Sequence, residues 1–357
     1  MVMLQNSPPT SPLSMMGDSR LLLGLDKPAS AVTGVSILGL GSHVPSRVVT
    51  NDEVGEPAGV DSDWIVGKTG IHQRRWAGPD EATSDLAAAA ARRALADAGI
   101  RPDQLTLLVV ATSTPDQSQP PTAAFVQKTL GACNAAVFDV NAVCSGFTFA
   151  LGVVSQMVAA TGGLALVIGA DIYSRILNPK DRRTVILFGD GAGAAIVGQS
   201  AAHGGHRLLG TSLHSFGDLS DMIGVPAGGS RMPLGPGVED DLRFFTMDGR
   251  GVRAFVTEKL PAMIRAFLRK NGVGVEDVQH FVPHQANAMM LRDLVHSLQM
   301  PNAQTHLTVE RLGNTGSASI PITLAAASAR GQLGRGDLVL LAGFGGGMAV
   351  GLSLLRW

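Results

Sequence analysis

The sequence predicts an α/β protein with a mainly parallel sheet, built from two copies of one unit. Apolar runs of strand length alternate with amphipathic stretches of helix length, the order a parallel sheet needs because each crossover takes a helix. A single shift of 173 residues then lays the first half on the second without a gap. Gly99–Leu105 falls on Gly272–Val278, Leu108-Val109 on Phe281-Val282, Asn141 on Asn314, and Leu166–Ala170 on Val339–Gly343. One offset that holds from Gly99 to Ala170 marks an internal duplication, and duplicated units pack about a pseudo-twofold axis.

Residues 1–32 carry Pro8-Pro9, Ser11-Pro12 and one apolar patch, Leu21–Leu23, too short to span a bilayer. No basic segment precedes that patch, since the first arginine is Arg20, so a flexible N-terminal extension is expected and not a secretory signal. The first copy, 33–200, is expected to hold strands at Val35–Leu40, Leu107–Ala111, Val137–Val140, Leu164–Gly169, Val185–Leu187 and Ala194–Val197. Its helices are expected at Ser84–Ala98 and Ser145–Ala160. The second copy, 201–357, repeats the order. Within it, Asp218–Asp241 is rich in Gly and Pro and reads as a long inserted loop, either a cover over a site or a passive surface excursion.

At 357 residues and 45% hydrophobic, the chain can bury a large core. Its net charge of −1 creates no field that would recruit nucleic acid or an anionic membrane, so neither is expected as a partner. Two cysteines, Cys133 and Cys144, are too few for a disulfide framework and lack metal-ligand spacing, which points to a reducing cytoplasm. Cys133 follows Gly131-Ala132 in a loop and reads as structural.

Cys144 is different in kind. It stands where the apolar run Val137–Val143 stops and a helical run begins. A thiol there feels the positive end of the helix dipole and unpaired N–H groups, which favour the thiolate; the plainer alternative is a buried thiol packed as a small hydrophobe. Under the 173-residue shift Cys144 falls on Ser317, so the two turns should face each other near the axis. His284, in Val282–Asn287, and Asn314 are expected at strand ends, where catalytic groups of open α/β sheets collect. A neutral His beside a thiol can deprotonate it or donate N–H to an oxyanion, whereas Asn can only donate and orient. Cys, His and Asn together suit acyl transfer onto sulfur followed by stabilisation of an enolate.

Seven segments, Trp64–Ile71, Val143–Phe147, Asp181-Arg182, Leu187–Ala194, Val282–Asn287, Gly313–Ser319 and Gly343–Gly347, resemble in order those of the ketoacyl-ACP synthase III family, condensing enzymes of the thiolase superfamily. The resemblance covers 33–357. It implies a thiolase-like body of two duplicated α/β halves in five layers, αβαβα, with the nucleophile in the first half and His and Asn in the second. It implies that an acyl-CoA primer acylates Cys144 and that malonyl-ACP or malonyl-CoA is decarboxylated with His284 and Asn314 on the enolate. A 3-oxoacyl thioester would form, in fatty-acid initiation or polyketide and other secondary-metabolite synthesis. By the same resemblance the amides of Cys144 and Gly346 form the oxyanion hole and Phe344 walls the malonyl carboxylate. Trp64 and Arg182 sandwich the CoA adenine, Lys68 meets phosphate, and Asn287 lies near the pantetheine. A cytoplasmic homodimer is implied, with no metal or prosthetic group. The alternative is an acyltransferase on the same fold that passes the acyl group to a hydroxyl or amine.

Chemistry separates the near relatives. A thiolase needs a second Cys in the terminal glycine turn, where this chain has Phe344 among glycines; elongating synthases carry His where Asn314 stands; plant-type polyketide synthases have Pro in that turn. Three positions depart from the family pattern. Lys68 and Met289 stand where Arg is common, the second of these at the carrier-docking position. Pro120 replaces a bulky residue at the shared end of the acyl tunnel. Arg250, Arg253, Arg265, Arg269 and Arg292 could rebuild a basic docking face or simply form a solvated one.

Overall fold

The computed structural model describes residues 30–31 and 34–357. The expected extension lies outside these apart from Ser30–Ala31, which pairs antiparallel with Thr211 and Gly210. The main strands are β1 Val35–His43, β2 Leu107–Ala111, β3 Ala136–Val140, β4 Leu164–Asp171, β5 Gly191–Gln199, β6 His206–Ser215, β7 His280–Pro283, β8 Gln304–Thr305, β9 Leu338–Gly345 and β10 Ala349–Arg356. Their order is β8-β7-β9-β10-β6-β1-β5-β4-β2-β3. Read from either edge, the order gives the same topology, because each strand of the first block has its counterpart in the second. The blocks touch edge to edge only where Ser36 meets Arg207 and Ile37 meets His206.

Within the first block β2 runs parallel to β3 and β4, while β5 is antiparallel to β4 and to β1. The second block repeats this with β7 parallel to β8 and β9, and β10 antiparallel to β9 and β6. Successive strand residues face opposite sides, and both sides here are covered. Val109, Val167, Val339 and Leu341 turn inward onto helices α4, Gly146–Thr161, and α7, Ser319–Ala329. Leu108, Leu166 and Ile196 turn outward beneath α2, Thr83–Ala98, and α3, Thr122–Leu130. Leu340 and Leu354 face α5, Leu260–Lys270, and α6, Ala288–Leu298. Five layers result, αβαβα, with α4 and α7 in the middle; helix α1, Ser62–Thr69, carries Trp64 and Lys68.

That central place explains the composition of α4. With the turn before it, Val143–Thr161 is long and apolar enough by composition to cross a membrane, yet 61% of its most apolar stretch is buried inside the protein. On the outer face, α2 is alanine-rich because it lies against β1: a Cβ added at Gly41 would stand 2.3 Å from the Ala90 carbonyl oxygen. The small residues on both sides set that distance.

One expected strand is absent. Val185–Leu187 is apolar and buried, but its backbone is held by local turns, with Val185 N–H donating to Asp181 and Leu187 N–H to Thr184. The buried Arg74 guanidinium binds the Ile186 carbonyl at 2.7 Å. Burial here comes from lining a cavity, not from sheet pairing, and an apolar run of three residues looks the same in either case.

Candidate active site

Each half delivers a 3₁₀ turn to the middle layer at the same repeat position, Val143–Ser145 ahead of α4 and Gly316–Ala318 ahead of α7. Cys144 occupies the first. Val143 reaches it with φ +48°, a left-handed conformation that costs a β-branched residue on the order of 1–3 kcal/mol and recurs at functional turns. Gly345, at the end of β9, packs directly on the thiol: a Cβ added there would lie 2.7 Å from Cys144 Cβ and 3.0 Å from its amide nitrogen. Gly346 follows in the turn.

His284 continues β7, its N–H bound to the Ala342 carbonyl at 2.8 Å. Its ring stands edge-on to Phe344, 5.2 Å between centroids, and its Nδ1 lies 2.8 Å from Ser319 Oγ. Ser319 Oγ accepts the Gln285 amide at 3.4 Å, which leaves its own proton for Nδ1. We therefore assign the ring proton to Nε2, making His284 a donor toward the cavity. Burial pushes its pKa down to about 3, so the ring stays neutral at physiological pH. Asn314 follows a short helical turn, Val309–Leu312, and not a strand as expected. Its backbone bridges Phe188, with its N–H on the Leu187 carbonyl at 2.8 Å and its carbonyl on the Gly189 N–H at 3.0 Å. Its side-chain oxygen takes the Gly316 N–H at 2.9 Å, so the amide NH₂ is the group left to donate.

Cys144, His284, Asn314 and Phe344 line one cavity of about 40 Å³, with Phe188 and Phe245 among its walls. All four are buried. The lowered thiol pKa expected from the helix start is not found: burial, then the negative charge of Asp171, push Cys144 up to about 12, against the opposing hydrogen bonds from Tyr173 and its own amide. Desolvation of a fully enclosed thiolate outweighs the dipole of one helix.

A second recess of about 260 Å³ is lined by Trp64, Lys68, Arg182 and Met289 and shares Leu187, Met247, Asn287 and Met290 with the Cys144 cavity. The two recesses therefore adjoin across these four side chains. The Arg182 guanidinium lies 5.8 Å from the centroid of the Trp64 ring, a cation–π contact. Asn287 caps α6 through its side-chain oxygen, bound to the Met290 N–H at 2.8 Å. Arg253 also lines this recess and pairs with Asp293 at 2.5 Å, whereas Arg265 is spent on the Ser297 carbonyl. Pro120 lies in a separate surface recess with Gln117 and Asp139. Cys133 is exposed, so it does not serve as core packing.

Several site residues were not anticipated from the sequence: Ile223 from the inserted region, Phe245 and Met247 just beyond it, and Tyr173 with Asp171. The loop Gly217–Met247 is thus a cover, closed by the short pair Ile223–Gly224 with Thr246–Met247. Tyr173 is the chain's single tyrosine and follows the end of β4, a signal that was available. Among the described residues no group of three or more His, Cys, Asp or Glu side chains is arranged to hold a metal.

Comparison with known proteins follows the same lines. The family description 3-oxoacyl-(acyl-carrier-protein) synthase III matches residues 138–217, and its C-terminal counterpart matches 268–357. The chain is 60% identical over 322 residues to acetoacetyl CoA synthase NphT7 of Streptomyces sp. (strain CL190), covering 90% of this chain and 98% of that one. It is 40% identical over 324 residues to β-ketoacyl-(acyl-carrier-protein) synthase III of Caldanaerobacter subterraneus subsp. tengcongensis, covering 90% and 97%. Among solved structures, the priming β-ketosynthase of the R1128 polyketide pathway superposes with a TM-score of 0.83 at 33% identity, covering 93% and 98%. With the duplicated five-layer body and the shared sequence over nine-tenths of its length, this chain belongs to the 3-oxoacyl-(acyl-carrier-protein) synthase III family of thiolase-like condensing enzymes.

Proposed function

We propose that this enzyme condenses a short acyl group, taken from acyl-CoA, with a malonyl thioester, and that acetyl-CoA and malonyl-CoA are its substrates. The observation that carries the reading is the small cavity in which thiol, imidazole and carboxamide meet, adjoining a recess that offers an aromatic ring, a guanidinium and an ammonium group. In the first half-reaction Cys144 attacks the thioester carbonyl and the CoA thiolate leaves, with the Cys144 and Gly346 amides donating to the tetrahedral oxygen. In the second, the malonyl thioester loses CO₂ while His284 Nε2–H and the Asn314 amide hold the enolate oxygen. Two neutral donors suit this step, because neither gives up its proton to the enolate outright. Phe344 supplies an apolar wall that disfavours the ionised carboxylate over CO₂. The enolate carbon then attacks the acyl-cysteine, frees the thiolate and leaves a 3-oxoacyl thioester.

The primer pocket supports acetyl. Beyond the sulfur, Tyr173 stacks on Phe188 at 4.5 Å, and Phe245 stands edge-on to both at 5.7 and 4.8 Å. Phe188 and Phe245 stand in the cavity wall as part of this packed ring cluster, which favours a short primer. For the extender, the exposed Met289 at the docking position and the name of the 60%-identical relative favour CoA over a carrier protein. We further propose a homodimer, supported by β3, which closes the sheet with one edge unpaired among the described residues. A cytoplasmic setting is supported by two free cysteines.

Incubation with acetyl-CoA and malonyl-CoA tests the reading by mass spectrometry. Acetyl should be found on Cys144, with CO₂ and acetoacetyl-CoA released. A Cys144 that stays unlabelled, or an ester or amide of an added acceptor in place of the 3-oxo product, would overturn it.

A further inference from the structure

His284 and Asn314 must meet the same enolate oxygen, yet they stand on segments that the sheet stops holding together before it reaches either one. Strand β7 pairs with β8 only at His280 and Phe281, and one more bond follows, from the His306 N–H to the Phe281 carbonyl at 2.9 Å. Among the described residues no further main-chain hydrogen bond joins residues 282–285 to residues 307–314. The Asn314 backbone is bound instead to Leu187 and Gly189, while the His284 N–H is bound to Ala342. Each donor is thus anchored to a different half.

One side chain spans the gap. Gln285, next in chain to His284, is fully buried, and its carboxamide uses both of its N–H donors and both lone pairs of its oxygen. Nε2 donates to the Pro283 carbonyl at 2.8 Å and to the His306 carbonyl at 3.2 Å. Oε1 accepts the Thr308 N–H at 2.8 Å and the Val309 N–H at 3.1 Å. Exchanging N and O would set donors against donors and acceptors against acceptors, so the network fixes the orientation. Thr308 and Val309 open the turn Val309–Leu312, which leads through Gly313 to Asn314. The Thr308 hydroxyl does not cap that turn, because it lies 2.7 Å from Thr323 Oγ1 and is engaged there. Gln285 takes the cap's place from outside.

We propose that Gln285 is a positioning residue for decarboxylation: its carboxamide sets the turn that carries Asn314 against His284, so that the two N–H donors converge on one oxygen. Gln285 does not line the Cys144 cavity, so it acts only through the groups it holds. Its effect is selective for that reason. The thiol is carried by the turn Val143–Ser145 of the first half and is packed on by Gly345, neither of which Gln285 binds. Two donors aimed at a developing charge must both be in place, and a displacement of about 1 Å costs up to about 100-fold. The turn keeps other ties, among them the His72 N–H on the Glu310 carbonyl at 2.8 Å. Loss of the carboxamide therefore loosens the alignment of the donors and leaves the fold standing.

This inference rests on the reading of His284 and Asn314 as the enolate donors, and its test separates the two half-reactions. The rate of acylation is read by mass spectrometry as acetyl added to Cys144; malonyl-CoA is then given to the acetyl-enzyme and acetoacetyl-CoA is followed in a single turnover. Gln285→Met, which keeps the length and loses every bond of the carboxamide, should slow the second step about tenfold to 100-fold while acylation changes less than about threefold. Gln285→Glu, which keeps an oxygen for the Thr308 and Val309 amides, should recover most of that loss. Gln285→Asn, one methylene too short to span the segments, carries the same expectation as Gln285→Met and serves if that variant does not fold. Equal loss in both half-reactions, no loss in either, or a Gln285→Glu enzyme as slow as Gln285→Met would overturn the proposal, because a side chain that only stabilises the fold does not choose between steps. Failure of the donor reading shows instead as His284→Ala and Asn314→Ala enzymes that decarboxylate at the wild-type rate.

Discussion

The turns Val143–Ser145 and Gly316–Ala318 are the same piece of backbone used twice, yet one holds a reactive sulfur and the other a hydroxyl committed to structure. Both open on a left-handed residue, at φ +48° for Val143 and +58° for Gly316. In the second half that position must be glycine, since a Cβ would stand 2.4 Å from an Asp171 carboxylate oxygen and 2.5 Å from the Tyr173 ring. In the first half the space is open enough for valine, and the conformation is kept at the cost of strain. The residue that follows differs in the same sense. Ser317 Oγ is 2.7 Å from Asp171 and 2.8 Å from the Ala111 carbonyl, so its hydroxyl ties the halves together. Cys144 points into a cavity with room left for a substrate. Duplication supplied two equivalent helix starts; packing around each decided which became a site and which a clasp.

The most direct way to break this contrast is to give the nucleophile its twin's residue type. Cys144→Ser should lower acylation on the order of 10³-fold or more, read by mass added from acetyl-CoA, because a hydroxyl lacks the reactivity of the thiolate. Next in size are the donors of the second half. His284→Ala or Asn314→Ala should cost about 10²- to 10³-fold in decarboxylation while acylation falls far less, and equal loss in both half-reactions would contradict the division of labour. The clasp is tested by stability. Gly316→Ala should cost about 2 kcal/mol or more in a denaturant titration, whereas Val143→Gly should cost less than about 1 kcal/mol because it releases strain. The mildest effect is expected at the mouth, where Trp64→Ala should raise the apparent KM for CoA thioesters about tenfold and leave kcat nearly unchanged.

The repeat was legible because it is written in covalent order. The offset that pairs Leu108-Val109 with Phe281-Val282 and Cys144 with Ser317 survives in the fold as β2 with β7 and α4 with α7. Cys144, His284, Asn314 and Phe344 could be named in advance because each sits in a short motif next to glycines or at an element end, and the structure brings all four to one cavity. Phe245, Met247 and Ile223 could not, since they reach the cavity from segments distant in the chain and without local pattern. The thiol's pKa was misjudged for a related reason. A helix start can be read from a sequence, but the enclosure that outweighs it depends on strands and loops from both halves. Val185–Leu187 failed as a strand because hydrophobicity reports burial and is silent on what does the burying.

Phe188 and Asn314 share one rung of backbone pairing, flanked by bonds from Leu187 and to Gly189. The wall proposed to limit the primer and the group proposed to steady the extender are therefore one mechanical piece. Any widening achieved by shifting that wall's main chain would drag the carboxamide off its target. Side-chain exchanges at Tyr173, Phe188 and Phe245 would change the wall while leaving that backbone rung in place.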